Sequence, residues 1–226
     1  MALAFDAKSD SDGYTNAASV TWSHTCTGSN LGLVVGDGGW HPSGHTVSGV
    51  TYNAVALTAR ATSALSGGDD QASCWTLINP ASGANNVVVS ITNGGSGDAG
   101  GTVATSFTGA HQTTMHADAT TATGNDGTPT ITIPNNTTAD ACFDVVAAGS
   151  GADPAMTART NRTEIDSQAD GGEGWGGSYL IPAPSGNQVM GWTATSGNWA
   201  NAGIRVLAAA AAATTTHFLG LLGAGV

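Results

Sequence analysis

Basic side chains are the scarcest component of this sequence. Its 226 residues include five Lys and Arg against sixteen Asp and Glu, which gives a formal net charge of -11. Lys8 is the only lysine in the chain. Proteins that bind nucleic acids need a basic surface to neutralise phosphates. The composition therefore excludes nucleic acid as a partner.

Cysteines are also few, and their spacing fits no known motif. Cys26, Cys74 and Cys142 form no CxxC pair, so neither a zinc knuckle nor a disulfide framework is indicated. Each lies in an apolar run, and we expect three reduced core residues. The N-terminus lacks a basic region followed by a long apolar stretch, so we expect no cleaved secretory signal.

The common catalytic signatures are missing. The sequence contains no Gly-x-Ser-x-Gly elbow, phosphate-binding loop, dinucleotide fingerprint or His-Glu-x-x-His helix. His41 and His45 have the spacing of a helical metal pair, but Pro42 and Gly44 oppose a helix, so we expect an exposed loop. We predict no metal, no cofactor, no catalytic residue and no enzymatic activity.

The acidic residues give no clear site either. Glu164 and Asp166 are two residues apart on an extended stretch, but nothing indicates the sugar-binding cleft that a glycosidase needs. Asp10-Ser-Asp-Gly13 begins like a calcium loop but lacks the later ligands, so a turn is favoured over a calcium site. Further acids fall in predicted loops, where we expect them to keep the surface soluble: Asp69, Asp70, Asp98, Asp118 and Asp126.

Alternation of apolar and polar residues is the main pattern present. In the segment 19–26, Trp22, His24 and Cys26 share one face, which indicates a half-buried strand with a hydrogen-bonded core histidine. About ten to twelve such strands are separated by turn residues, and no helical stripe occurs before residue 207. The sequence predicts an all-β fold, an antiparallel two-sheet sandwich of jelly-roll type, in a single domain spanning residues 1–207.

Glycine-rich segments are expected to separate these strands. The segment 36–39 closes a short apolar run, and the runs at 94–101 and 171–177 precede new apolar strands. Glycine suits turns because it adopts positive φ angles without steric cost. We therefore expect turns or loop tips at all three places.

The six tryptophans fall into two groups. Trp22, Trp75 and Trp192 alternate with polar neighbours, and we expect them in the core. The others lie beside Gly or Asn in predicted turns and could offer flat faces for sugar rings: Trp40, Trp175 and Trp199.

The last residues of the sequence differ from the rest. Residues 208–226 comprise six alanines, three threonines and an apolar stretch, with no charged side chain. Ala and Thr contribute little to membrane insertion and no basic flank follows, so a membrane span is disfavoured. We expect this apolar tail to dock on a partner protein, through Leu207, Phe218, Leu219, Leu221, Leu222 and Val226.

Four stretches resemble a family of β-sandwich proteins found in tailed-phage virions and in bacterial surface or secreted proteins. They are Val50–Thr58, Trp75–Gly83, Ser106–Gly109 and Ala202–Leu207. The resemblance covers roughly residues 3–208, and the family has no catalytic residues. It implies a component of a particle surface, such as a capsid decoration protein or a tail-fibre domain.

We accordingly expect a phage virion structural protein, a decoration or cement subunit on the outer surface of the capsid. It would be made in the host cytoplasm and would reside on the virion surface. Its expected partners are the major capsid protein or other virion subunits and copies of itself, with a trimer favoured. The alternative is a carbohydrate- or receptor-binding module of a tail fibre or a cell surface.

Overall fold

The computed structural model of the chain describes residues 2–92, 94–95, 97–149, 156–170, 172–195 and 197–210. Within these ranges every regular element is a β-strand and the strands pair antiparallel. The predicted all-β, antiparallel sandwich fold is confirmed. The described residues contain no helix with the length and apolar character to cross a membrane.

The strands divide at about the middle of the chain. Those before residue 110 are β1 Ala4–Asp10, β2 Tyr14–Thr15, β3 Ser19–Cys26, β4 Gly32–Trp40, β5 Thr46–Tyr52, β6 Val55–Ala56, β7 Thr58–Thr62, β8 Asp70–Ile78, β9 Gly83–Thr92 and β10 Ala99–Thr108. Those after it are β11 His116–Gly124, β12 Thr130–Asn136, β13 Ala141–Gly149, β14 Thr157–Ala158, β15 Thr163–Asp170, β16 Glu173–Leu180, β17 Gly186–Thr193 and β18 Asn198–Val206.

The described strands form four sheets, whereas the alternation of the sequence predicted two. Sheet I has the order β1-β10-β4-β8-β7, with β2 also paired to β10, and sheet II has the order β3-β9-β5-β6. Sheet III has the order β11-β18-β13-β16-β15, and sheet IV has the order β12-β17-β14. We call sheets I and II the N-sandwich and sheets III and IV the C-sandwich. The jelly-roll connectivity itself stays a prediction.

The two sandwiches have the same topology. In chain order, β1, β3, β4, β5, β7, β8, β9 and β10 correspond to β11 through β18, and corresponding strands occupy corresponding places in the sheets. Across the interface β4 packs against its own counterpart β13, and the contact of β8 with β18 corresponds to that of β10 with β16. This is the contact pattern expected of two halves related by a two-fold axis.

The sheets stack in the order II, I, III, IV, with a hydrophobic layer between each pair. Val87, Val89 and Leu33 lie in the layer between sheets II and I. Phe107 and Phe143 lie in the central layer between sheets I and III. Smaller clusters join sheet III to sheet IV: Ile131, Ile133, Cys142, Ala183 and Met190, and separately Val146, Ala148, Met156, Trp192 and Trp199.

Sheets I and III are covered on both faces, and their sequences reflect this. Strands β4 and β13 are buried along almost their whole length, whereas β3 and β9 of the outer sheet alternate between buried and exposed residues. Strand β4 continues through the segment 36–39, and β10 and β16 begin inside the two glycine runs. The loop prediction was therefore wrong for 36–39 and for the C-terminal part of each run.

Glycine in β4 allows sheets I and III to approach closely. A Cβ atom on Gly38 would lie 2.3 Å from the carbonyl oxygen of Val146 in β13. A Cβ on Gly36 would lie 2.9 Å from the ring of Phe143. Protein interiors are packed to crystal-like density, so an added methyl group here forces the layers apart.

Several predictions about single core residues are confirmed. All three cysteines are free and buried. His24 is 1% exposed, and its Nδ1 atom lies 2.8 Å from the hydroxyl oxygen of Ser9. Trp192 is fully buried, whereas Trp22 and Trp75 are half-buried against the core of the N-sandwich.

The segment after β18 returns to the junction between the sandwiches. The amide of Leu207 donates to the carbonyl of Met115 at 2.9 Å, and the amide of Ala209 donates to the carbonyl of Gly109 at 2.8 Å. Ala208 forms a bridge with Ala110. The tail therefore begins on its own fold, with Leu207 half-buried. The other predicted docking residues lie outside the described residues: Phe218, Leu219, Leu221, Leu222 and Val226.

Candidate functional site

An acidic cavity lies where the two sandwiches meet, at the N-terminal ends of β8 and β16. Its volume is about 440 Å³. The lining residues are Trp40, Asp69, Asp70, Asn125, Gly149, Glu173, Gly197 and Asn198. Both sandwiches contribute to this wall, and no basic side chain is among these residues.

Two carboxyl groups that line the cavity occupy corresponding positions in the two sandwiches. Asp70 is the first residue of β8 and pairs with Trp40 at the end of β4. Glu173 is the first residue of β16 and pairs with Gly149 at the end of β13. Asp70 is 1% exposed and Glu173 is 9% exposed. The internal duplication therefore brings together two acids that are far apart in the sequence.

The environment of this acid pair favours a shared proton. Burial, followed by the charge of Glu173, raises the pKa of Asp70 well above its ordinary value. Burial also raises the pKa of Glu173, although its hydrogen bond with Asp70 acts in the opposite direction. Two carboxylates in contact cannot both ionise easily, because each charge opposes the other in a poorly solvated site.

Several carboxyl oxygens of the cavity have no protein partner. Oδ1 of Asp70, Oε2 of Glu173 and Oδ1 of Asp69 are buried and accept no hydrogen bond from the residues that the structure describes. Buried polar atoms usually have partners, and each exception needs a physical explanation. Within the part of the chain that the structure describes, these atoms make the cavity the strongest candidate for a binding site.

A second buried polar cluster lies inside the N-sandwich and consists of Tyr14, Asp37 and His45. Nε2 of His45 lies 2.7 Å from a carboxylate oxygen of Asp37, and the hydroxyl of Tyr14 donates to the other oxygen at 3.1 Å. Although burial opposes the charged form, Asp37 and the more distant Asp98 and Asp70 raise the pKa of His45. The cluster has the character of a buried ion pair.

Two sequence predictions in this region were wrong. His41 and His45 lie in a loop as expected, but they are 6% and 0% exposed rather than solvent-facing. Their backbone amides donate to the carbonyl of Asp69, which ties the loop to the cavity wall. Asp70 and Asp98 are also buried, at 1% and 2% exposure, and do not act as surface charges.

The two acids considered as a glycosidase pair from their spacing in the sequence lie on β15, outside the acidic cavity. Glu164 and Asp166 are separated by an irregularity in the pairing of β15 with β16, so the regular alternation that would align them is broken. Glu164 accepts a hydrogen bond from the amide of Ala158. Asp10 accepts the amide of Asp12 at 3.1 Å, the arrangement of a turn, which was the favoured interpretation of that segment.

The three tryptophans considered as sugar platforms have different environments. Trp175 lies on β16 and is 2% exposed, and Trp199 lies on β18 and is 6% exposed. Their placement in turns was therefore wrong, because these strands are buried on both faces. Trp40 is half-buried at the end of β4 and lines the acidic cavity. Trp175 lines a second cavity together with Asp12 and Gln168. Trp40 is the more exposed of these two rings and stands at the cavity that contains the acid pair.

Two further cavities lack such a cluster of acids. One, of about 460 Å³, lies between the Asp12–Thr15 turn and β15 and is lined in part by Trp175. The other, of about 500 Å³, lies on the outer sheet near Asn53 and Asn85. Within the described residues, no three or more His, Cys, Asp or Glu side chains are grouped so that they could hold a metal ion.

Comparisons with known proteins give no further information about this site. No family model matches the chain, and neither the curated proteins nor the solved structures include a match. The resemblance to virion β-sandwich proteins therefore stays a prediction.

Proposed function

We propose that the protein is a structural subunit of a tailed-phage particle, a decoration protein that binds the outer surface of the capsid. In this proposal it resides on the virion surface, contacts the major capsid protein or another virion subunit, and assembles with copies of itself. It acts by adhesion, and its two sandwiches form a stiff body between contact points.

The observation that carries this proposal is the attachment of the apolar tail. Leu207 and Ala209 are hydrogen-bonded to the segment that joins the two sandwiches. The described part of the chain therefore ends, at residue 210, beside this joining segment, and the sequence that follows carries no charged side chain. Apolar segments of this kind are typical of protein–protein contacts, and the acidic composition keeps the rest of the molecule soluble.

The test is removal of residues 211–226. This truncation keeps the hydrogen bond of Ala209 to Gly109, which a cut at residue 208 would remove. We expect the truncated chain to keep its unfolding temperature but to lose at least about tenfold in affinity for particles purified from the source culture. Co-sedimentation and quantitative mass spectrometry of the particles measure this loss.

A length-matched variant controls for the truncation. Replacing Phe218, Leu221 and Leu222 by Ser keeps the chain length and removes the apolar side chains, and it should reproduce the loss. Equal occupancy by all three proteins, or absence of the chain from purified particles, would contradict the proposal.

The acidic cavity favours one second candidate, a carbohydrate-binding module. Trp40 lines it together with the amide side chains of Asn125 and Asn198, and aromatic rings with nearby polar groups suit sugar recognition. Glycan-array binding that is lost in Trp40→Ala and kept in Trp22→Ala would support this candidate. An array without any hit would count against it.

A further inference from the structure

We propose that the acidic cavity is a binding site for a divalent cation of the calcium type, held between Asp70 of the N-sandwich and Glu173 of the C-sandwich. Neutral oxygens and water would complete the coordination shell. The proposal concerns the junction between the sandwiches and does not depend on the proposed virion function.

The burial of the two carboxyl groups is the first support. Asp70 and Glu173 are 1% and 9% exposed, and both line the cavity. Each has one buried oxygen without a partner among the described residues. Buried carboxylates are normally balanced by a cation or by hydrogen-bond donors, and no Lys, Arg or His lines this cavity. A metal ion would supply the missing positive charge.

The chemistry of the lining residues selects the type of ion. The side chains offer only oxygen and amide groups, from Asp69, Asp70, Asn125, Glu173 and Asn198. Zinc prefers nitrogen and sulfur ligands, whereas calcium takes six to eight oxygens in a flexible geometry and accepts amide oxygens and waters. The described residues hold no group of three ionisable ligands, so neutral oxygens must fill the remaining positions. We expect a dissociation constant of roughly 0.1–1 mM.

The duplicated fold explains why the site lies here. Asp70 and Glu173 begin corresponding strands, so an ion between them would link the two sandwiches at their junction. The residue paired with Glu173 is Gly149, where a Cβ atom would lie 2.7 Å from Oε2 of Glu173. Glycine at this position therefore leaves room for the carboxylate, while Trp40 occupies the corresponding position of the N-sandwich.

The main experiment compares calcium binding by the EDTA-treated full chain and by two isosteric variants. Isothermal titration with CaCl₂ should give one site, and calcium at about ten times its dissociation constant should raise the unfolding temperature by about 3–6 °C. Asp70→Asn and Glu173→Gln should each weaken binding at least about tenfold. Asp166→Asn removes one acid of the C-sandwich outside the cavity and should bind like the unaltered chain.

A spectroscopic readout locates the ion. Terbium(III) is a luminescent substitute for calcium, and its emission should be excited through Trp40. Trp40→Phe should remove most of that emission, whereas Trp22→Phe should not. Gly149→Ala keeps both acids but crowds Glu173, so it should weaken binding even if an isosteric variant fails to fold.

Two results would overturn the proposal. One is the absence of any calcium effect on the folded, EDTA-treated chain. The other is an equal calcium effect in the unaltered chain, Asp70→Asn and Glu173→Gln. In either case the acid pair is a purely structural, proton-sharing contact. Particle binding, tested by the tail truncation, is measured separately, so the two proposals can fail independently.

Discussion

Each sandwich buries one carboxyl group on the inner-sheet face that contacts its outer sheet, but the two are stabilised differently. In the N-sandwich, Asp37 of β4 is bound by His45 and by the hydroxyl of Tyr14. In the C-sandwich, Asp144 of β13 accepts hydrogen bonds from neutral donors: Ser178, Trp192 and Asn201. The same topology thus contains a buried ion pair in one half and a hydrogen-bonded acid in the other.

This difference shows which interactions specify the fold and which do not. Burial raises the pKa of Asp144 to about 6, and its hydrogen bonds oppose that rise only in part. In the N-sandwich the nearby carboxylates raise the pKa of His45 despite burial. The apolar faces of the sheets are common to both halves, so they must determine the topology. The buried polar groups are local solutions that each half could acquire separately.

The largest effect is expected from breaking the ion pair of the N-sandwich. His45→Leu leaves Asp37 buried without its cationic partner and should reduce the free energy of unfolding by about 3–5 kcal/mol. Urea denaturation followed by tryptophan fluorescence measures this change. The double variant Asp37→Asn/His45→Leu should be less destabilised than His45→Leu alone. If both are equally destabilised, His45 acts through packing and the contrast with Asp144 disappears.

The pH dependence of the free energy of unfolding should also distinguish the two sandwiches, with a somewhat smaller effect than that of His45→Leu. In the N-sandwich, burial lowers the pKa of His24 to about 4, and its Nε2 atom has no partner among the described residues. Because the folded pKa lies below the ordinary value of 6.5, the stability linked to His24 is present above pH 6.5 and is lost as the pH falls to about 4.

The stability linked to Asp144 depends on pH in the opposite direction. Its folded pKa is raised from 3.8 to about 6, so the linked stability is present below pH 3.8 and is lost as the pH rises through about 6. As the pH is lowered, the free energy of unfolding of His24→Asn should rise by about 2–3 kcal/mol relative to that of the unaltered chain. As the pH is raised, that of Asp144→Asn should rise by about as much relative to the unaltered chain. Unfolding midpoints across this pH range measure both. Parallel profiles for all three proteins would refute the assignment.

The same comparison shows what could be predicted from the sequence. The outer strands were recognisable, because β3 has one face in solvent and alternates between apolar and polar residues. The ends of the inner strands were harder to recognise, because both faces of these strands are buried and close packing favours Gly, Ala and Ser. The segment 173–176 at the start of β16 therefore resembled a loop. The number of sheets could not be read from strands taken one at a time.

The acid pair was not predictable because its members meet only through the duplicated topology. Asp70 and Glu173 lie in different halves of the chain, and each was unremarkable beside neighbouring turn residues. One signal could have revealed the duplication. Ser82-Gly83 precedes Val87 in β9, and Ser185-Gly186 precedes Met190 in β17, so the same turn leads into corresponding strands. Aligning the two turns places Asp70 opposite Glu173.

The smallest predicted effect tests that equivalence directly. Gly83 has φ +91° and Gly186 has φ +90°, and a Cβ atom on either would contact nothing within 4 Å. Only backbone strain then opposes alanine. Gly83→Ala and Gly186→Ala should therefore lower the free energy of unfolding by the same amount, about 1–2 kcal/mol each. Gly49→Ala, which also has open space but no positive φ, should be neutral or slightly stabilising. Urea midpoints of the three variants provide the measurement. Clearly unequal costs for Gly83→Ala and Gly186→Ala would show that the two turns are not equivalent, since an added Cβ atom meets no neighbour within 4 Å at either position.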